Sequence, residues 1–187
     1  MKLSFHLRFI VFILIFSSCD KDENKIEEKP FLALLNQPSI VIDTAVAAVD
    51  WVYGFKFTPL KDGKITGVGM KLPIEGSYKV QLWDLDNDIL LKEETISSTT
   101  PHDVVFNNIS EVQVSKNKTL GISIEADSFY KISKADNSDF NFPMQEGNIS
   151  ILSFHEIRVA DNTGNKFPLA TNDAKMSPCV DIIFIAE

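Results

Sequence analysis

Short segments in which apolar and polar residues alternate limit most strongly how this 187-residue chain can fold. Such segments run over Lys64–Leu72, Ser77–Asp84 and Thr119–Ala126. In the second of them, Val80 and Leu82 fall on one side of an extended strand, because successive side chains of a β-strand point to opposite faces. The alternation predicts half-buried strands whose apolar faces pack on a common core.

The rest of the chain also favours strands. Val180–Ala186 is apolar on both faces, which is typical of a central strand. Further candidates are Trp51–Phe57, Ile89–Ile96, Asp103–Phe106, Val112–Val114 and Asn148–Ile157. Turn sequences such as Lys61-Asp62-Gly63 separate them, and no sustained helical stripe follows the N-terminal region. We therefore predict an all-β fold, a single antiparallel β-sandwich of jelly-roll type, over residues 31–187.

The N-terminal residues have the composition of an export signal. Basic Lys2 and Arg8 precede an apolar run, Phe9–Phe16, that is too short to span a bilayer as a helix. Ser17 and Ser18 follow, and then Cys19. This junction resembles the lipobox of bacterial lipoproteins, although that family prefers Leu at the position of Phe16. The resemblance implies that residues 1–18 are removed and that Cys19 is acylated, so that lipid attaches the protein to a membrane. An ordinary secretory signal with an incidental cysteine, or a buried apolar segment, is the alternative.

A charged segment follows Cys19. Residues 19–30 read CDKDENKIEEKP, which contains too few apolar side chains to collapse. We predict a flexible tether. Its acidic start also resembles the signal that sends Bacteroidetes lipoproteins to the outer leaflet, which implies an outer-membrane protein at the cell surface, or otherwise on the periplasmic face. A solvated spacer is the plainer interpretation. The whole chain has 26 acidic against 18 basic residues, which argues against a nucleic-acid partner.

A family resemblance covers about residues 50–186. Its four parts, in order along the chain, are Gly54–Leu72, Val80–Glu94, Thr119–Ala126 and Val180–Phe184. Together they resemble the DUF4082 family, although Pro101 and His102 stand where that family tends to place a tryptophan. The resemblance implies a β-sandwich that accompanies secreted, often carbohydrate-active, proteins. It implies no assigned activity and no functional residues.

The polar motifs give no catalytic or cofactor signature. Asp84, Asp86 and Asp88 have the spacing that opens an EF-hand loop, but Ile89 and Thr95 stand where that loop needs Gly and Glu. A solvated turn is the main interpretation of these acids, and a looser Ca²⁺ site is the alternative. There is no HExxH, P-loop or nucleophile elbow. We predict no cofactor and no enzyme, although a triad built from distant residues such as His102 or His155 stays open.

Aromatic residues are the remaining indication of a ligand site. Trp83 falls on the strand face opposite Val80 and Leu82, beside polar side chains. Tyr130, Phe140, Phe142 and Phe167 fall in or near loops, three of them around the aperiodic segment 134–147. Exposed rings of this kind stack on sugars or on protein partners. The alternative is that they cover the second sheet face or close the ends of the sandwich.

These observations favour a non-catalytic binding or adhesion module, for a glycan or for a protein of a cell-envelope complex. A carbohydrate-active hydrolase, or its accessory domain, is the alternative function. A structural spacer in an envelope assembly is the second alternative.

Overall fold

A computed structural model describes residues 26–174, 176–177 and 179–187. Within these ranges the chain forms strands, one short α-helix and a 3-10 turn. The elements are β1 (Glu27–Glu28), α1 (Pro30–Leu35), β2 (Ile40–Pro59), β3 (Gly63–Lys71), β4 (Gly76–Asp84), β5 (Ile89–Ser98), β6 (Val104–Val114), β7 (Leu120–Lys134), β8 (Met144–Glu146), β9 (Ile149–Arg158), the 3-10 turn (Val159–Asp161), β10 (Ala170–Thr171) and β11 (Val180–Ala186). The predicted signal, residues 1–18, and Cys19 lie outside the described residues.

Two antiparallel sheets pack face to face. One has four strands in the order β1-β11-β3-β6, and the other has seven, ordered β10-β9-β2-β7-β4-β5 with β8 paired to β9. The inner faces supply a core of phenylalanine and branched aliphatic side chains, among which Phe55, Phe57, Phe154 and Phe184 are almost fully buried. The predicted all-β antiparallel sandwich is confirmed.

The strand faces follow the alternation in the sequence. Val80 and Leu82 of β4 lie in the core, opposite Ile124 and Ile122 of β7 in the strand register. Val68 of β3 lies opposite Ile182 of β11, and both side chains are buried. Apolar residues at every second position therefore meet across the strands, which stabilises the sheet as well as the core.

The predicted tether of residues 19–30 extends too far toward the C-terminus. Glu27 and Glu28 form β1 and pair with the end of β11. The backbone N–H of Asn148 donates to the Glu28 carboxylate at 2.6 Å. Pro30 then starts α1 at a position where its missing N–H costs nothing. Helix α1 was not predicted, because six residues are too few to show a helical stripe.

Several strands are longer than predicted. Strand β2 begins at Ile40 rather than Trp51, and β7 continues to Lys134, because these two segments pair with each other from Ile40 to Val46. The predicted strands Asp103–Phe106 and Val112–Val114 are parts of one strand, β6. The predicted loop 134–147 contains the short strand β8. Pairing partners, which lie far away in the sequence, decide these lengths.

The second face of β4 is buried at Gln81 and Trp83, contrary to the predicted wet face, whereas Ser77 on the same face is exposed. Residues after the 3-10 turn fold over it, and the Phe167 ring packs against Gly121 of β7. A Cβ atom on Gly121 would lie 2.6 Å from that ring, so only glycine permits this contact. The Trp83 indole N–H donates to Ser123 Oγ at 3.0 Å beneath this cover.

Candidate functional site

Strand β2 changes its pairing with β7 in its middle. Val46 lies opposite Ser128, and Trp51 lies opposite Ala126. Residues 47–50 therefore stand against Asp127 alone, which makes a large β-bulge. Bulges bend a strand and redirect its side chains, and they are common beside functional sites. We call residues 47–50 the β2 bulge.

Clefts surround the β2 bulge. One of about 530 Å³ is lined by Ala48, Val49, Asp50, Arg158, Val159, Ala160 and Asp161. A second of about 300 Å³ is lined by Val46, Ala47, Trp51, Tyr53, Phe129 and Glu156. A third of about 340 Å³, on Asp50, Tyr78 and Lys79, continues toward β4. All three volumes are within the size range of small-ligand sites.

Trp51 and Arg158 join the first two clefts. They lie directly opposite each other on β2 and β9, one lining each cleft. The Arg158 guanidinium lies 5.5 Å from the centre of the indole ring, in a cation–π contact. The Tyr53 ring, two residues further along β2, is stacked with the Trp51 ring. The two ring centres are 6.2 Å apart and the ring planes are 13° from parallel. Trp51 is half-buried and Arg158 is exposed, whereas Tyr53 is only 2% exposed, so the accessible part of this surface is Trp51 with its cation.

Carboxylates border the same surface. Glu156 lies opposite Tyr53 in the register and lines its cleft. Burial, assisted by the negative charge of Glu156, raises the pKa of Tyr53 above its ordinary value. Asp50 lines the neighbouring clefts. Flat rings, guanidinium donors and carboxylate acceptors together suit a ligand that has both apolar faces and hydroxyl groups.

The aromatic residues predicted as a ligand surface are mostly buried. Trp83, Tyr130 and Phe140 are 4%, 3% and 3% exposed, so the prediction that they form an accessible platform is wrong. Phe142 is half-buried, and its ring meets the Phe154 ring in an edge-to-face arrangement, with the two ring centres 5.2 Å apart. The alternative interpretation, that these rings cover a sheet face or close the sandwich, agrees with the structure.

The predicted weak metal ligands do not converge. The Asp84 carboxylate forms an ion pair with Lys118 at 2.7 Å and accepts from the Asn87 side chain at 2.8 Å. Asp86 accepts from the backbone N–H of Thr119 at 3.0 Å. Asp88 is exposed. No group of His, Cys, Asp and Glu suited to a metal ion occurs among the described residues, and the hairpin acids stabilise the turn instead.

The histidines and the C-terminal cysteine have structural contacts. His102 Nδ1 lies 2.8 Å from the Tyr130 hydroxyl, and His155 Nε2 lies 2.7 Å from Ser153 Oγ. The buried Cys179 thiol accepts a hydrogen bond from the Tyr130 N–H. Burial raises the pKa of Cys179 to about 12, which removes the thiolate that a nucleophile needs.

One buried carboxyl has a strongly raised pKa. Burial raises the pKa of Asp181 to about 7, although hydrogen bonds from Leu32 and Phe31 act to lower it. The cavity beside it measures only about 10 Å³ and is lined mainly by apolar side chains. A substrate has no room there, so this carboxyl does not mark a hydrolytic centre of the kind paired acids form.

Comparisons of the chain with protein families, with curated proteins and with solved structures found no significant match. The fold and the clefts are therefore the basis for any functional conclusion. None of the helices among the described residues has both the length and the apolar character that crossing a bilayer requires.

Sequence reasoning did not find the Trp51–Arg158 pair. The available signal was the run IVIDTAVAAVDW, residues 40–51, which is apolar but lacks regular alternation. Such a run indicates a strand that is irregular or only partly covered. Arg158 is the only arginine of the described residues, but nothing local in the sequence connects it to Trp51.

Proposed function

We propose that this protein is a lipid-anchored binding module of the outer membrane that displays its β-sandwich at the cell surface and holds a glycan in the clefts beside the β2 bulge. The lipobox-like junction at Cys19 and the acidic residues after it support the anchor and the location. The resemblance to DUF4082 supports a role beside carbohydrate-active proteins. The binding itself is non-catalytic.

The Trp51–Arg158 contact carries the proposal for the ligand. The CH groups on one face of a sugar ring pack favourably on an indole, and its hydroxyls need charged or polar partners at the edge. Arg158 and Glu156, two residues apart on β9, provide a donor and an acceptor on the same sheet face as Trp51. A cleft of about 300 Å³ accommodates one or two sugar rings.

The glycan proposal can be tested with the full chain purified in detergent. An array of bacterial, plant and host oligosaccharides would be probed first, and a bound sugar would then be titrated by calorimetry. We expect Trp51→Ala and Arg158→Ala to weaken binding at least about tenfold, the loss of one stacking or charge-assisted contact. Trp51→Phe should retain part of the affinity, because it keeps a ring.

Phe106→Ala is the matched control. Phe106 is also half-buried and also carries a cation over its ring, Lys29 at 5.0 Å, but it lies on the other sheet. This variant should bind as the wild type does. Failure of every glycan to bind, or equal loss in the control, would contradict the proposal. Shortened sugars after incubation would favour the hydrolase alternative.

A further inference from the structure

The N-terminal half of β2 has an open edge. Residues Ile40–Val46 pair with β7 on one side, whereas β9 pairs with β2 only from Trp51 onward. The 3-10 turn after β9 leads the chain away at this point. Residues 40–46 therefore form an edge strand, because β9 does not extend alongside them. We call residues 40–46 the β2 edge.

The β2 edge presents unused backbone groups. The Ser39 carbonyl accepts a hydrogen bond at 2.9 Å from the N–H of Ala135, the residue that follows β7. The odd-numbered residues of the β2 edge therefore direct their N–H and C=O groups toward β7. Because an antiparallel ladder alternates, Ile42, Thr44 and Val46 direct theirs away from it. No hydrogen bond to these outward groups is present among the described residues. They form a template for one further strand.

The side chains of the β2 edge are apolar and accessible. Val41 and Val46 are 40% and 67% exposed, and Ile42 is 36% exposed. Asp43 is the only charge from Ile40 to Val46, and the segment has neither lysine nor proline. Soluble proteins use charged side chains, especially lysine, and proline to protect an exposed sheet edge from pairing. An unprotected apolar edge indicates that something covers it.

Other sheet edges of the same molecule are protected. Strand β5, at the end of the larger sheet, carries Lys92, Glu93 and Glu94. Strand β6, at the end of the smaller sheet, carries Asn107, Asn108 and Glu111. Both strands also expose apolar residues at their first positions, Ile89 and Leu90 on β5 and Val104 on β6, but their middles carry charges or amides, whereas the β2 edge carries only Asp43.

We propose that the β2 edge pairs antiparallel with the β2 edge of a second copy of this chain, about a two-fold axis at Thr44. The two seven-stranded sheets then become one continuous sheet across the dimer. An edge that pairs with itself closes after two copies, so the contact does not grow into a filament. The proposal rests on other observations than the glycan site, although Val46 borders both the β2 edge and the smaller cleft.

Charge favours Thr44 over the neighbouring Asp43 as the centre. Outward peptide groups must face outward peptide groups, so the axis passes through a residue rather than between two. An axis at Asp43 would place the two Asp43 carboxylates opposite each other, which is unfavourable. An axis at Thr44 places Ile42 of one copy opposite Val46 of the other, and Asp43 opposite Ala45. The strand is complementary to itself in this register.

Cysteine cross-linking in cells tests the register. At the axis, Thr44 of each copy would have its Cα about 5.5 Å from the other, within the range of a disulfide. Thr44→Cys should give at least about fivefold more covalent dimer on a non-reducing gel than Thr95→Cys, an exposed threonine on the charged β5 edge. Wild type supplies the background from Cys19 and Cys179.

Sedimentation of the purified full chain in detergent tests the dimer itself. We expect a concentration-dependent dimer for wild type and Thr95→Lys, and a monomer for Thr44→Lys, which places two like charges on the axis. Thr44 is exposed, so its replacement leaves the fold intact, and an unchanged thermal midpoint would verify this. A monomeric wild type, equal cross-linking at both positions, or a foreign strand bound to a monomer would overturn the proposal.

Discussion

The Asp181 carboxylate accepts a hydrogen bond from the backbone N–H of Phe31 at 3.1 Å, across 150 residues of sequence. Its other oxygen accepts from the Leu32 N–H at 2.9 Å. Lys29, at the N-cap of α1, provides no side-chain cap. A residue of the central strand β11 thus replaces the local cap and joins the N-terminal segment to the core.

Replacing Asp181 should therefore destabilise the domain. Asp181→Ala removes the side-chain acceptor of three backbone N–H groups, those of Phe31, Leu32 and Ile182, and we expect a loss of about 2–4 kcal/mol in the free energy of unfolding at pH 5. Asp181→Asn keeps one acceptor and should cost less. Urea unfolding at pH 5 measures both, with the exposed Asp103→Ala as the control. Equal midpoints for Asp181→Ala and wild type would contradict the capping role.

The same residue should make stability depend on pH. Burial raises the pKa of Asp181 from its ordinary 3.8 to about 7, so the folded protein binds this proton more tightly than the unfolded chain does. Its contribution is complete below pH 4 and is lost as the pH rises through 7. The unfolding free energy of wild type minus that of Asp181→Asn should fall by up to about 4 kcal/mol between pH 4 and pH 8. If this difference stayed constant or rose between pH 4 and pH 8, the hydrogen bonds would lower the pKa of Asp181 at least as much as burial raises it.

Core positions on the alternating strands should be sensitive to truncation. Val80 and Ile122 are almost fully buried on facing strands of the larger sheet. Val80→Ala and Ile122→Ala should each lower the unfolding free energy, by roughly 1–4 kcal/mol, through lost burial and a residual cavity. Val49→Ala, at an exposed position of the β2 bulge, should change it by less than about 0.5 kcal/mol. Chemical denaturation measures these changes. If Val49→Ala lowered the unfolding free energy more than Val80→Ala and Ile122→Ala, the assigned strand faces would be inverted.

The strands that could be predicted are those whose own residues alternate. The bounds of β3, β4 and β11 could be predicted almost to the residue, because β3 and β4 alternate in their own sequence and β11 is a short apolar run. The first half of β2 was missed, since residues 40–50 are apolar without alternation and only β7 makes them a strand. Trp83 seemed exposed because its neighbours on that face are polar, whereas Phe167 and the residues around it cover that face from far along the chain.

The candidate site was beyond prediction for the same reason. Trp51 and Arg158 are each unremarkable in their local sequence and meet only because β2 pairs with β9. The β2 bulge depends on a mismatch in length between two paired strands, which no single segment shows.

Calcium should not stabilise this domain. Burial acts to raise the pKa of Asp84, but hydrogen bonds from Lys118 and Asn87 hold that pKa below its ordinary value. The carboxylate is also already paired with Lys118. A ligand that binds only the folded state must raise the melting temperature. We expect millimolar Ca²⁺ to shift it by no more than about one degree, and EDTA to have no effect. A clear rise reversed by chelator would identify Asp84, Asp86 and Asp88 as ligands after all.

The last prediction concerns the anchor, which lies outside the described residues. If Cys19 is acylated, Cys19→Ala should abolish incorporation of labelled palmitate and release the protein from the membrane fraction, because several acyl chains hold a protein on a bilayer where a charged segment does not. Cys179→Ser is the matched control: this thiol is fully buried and should not influence labelling. Since Cys19 precedes every element of the part of the chain that the structure describes, the thermal midpoint of Cys19→Ala should equal that of wild type. Equal labelling of wild type and Cys19→Ala would refute the lipid anchor and leave an ordinary secretory signal as the explanation of the N-terminal sequence.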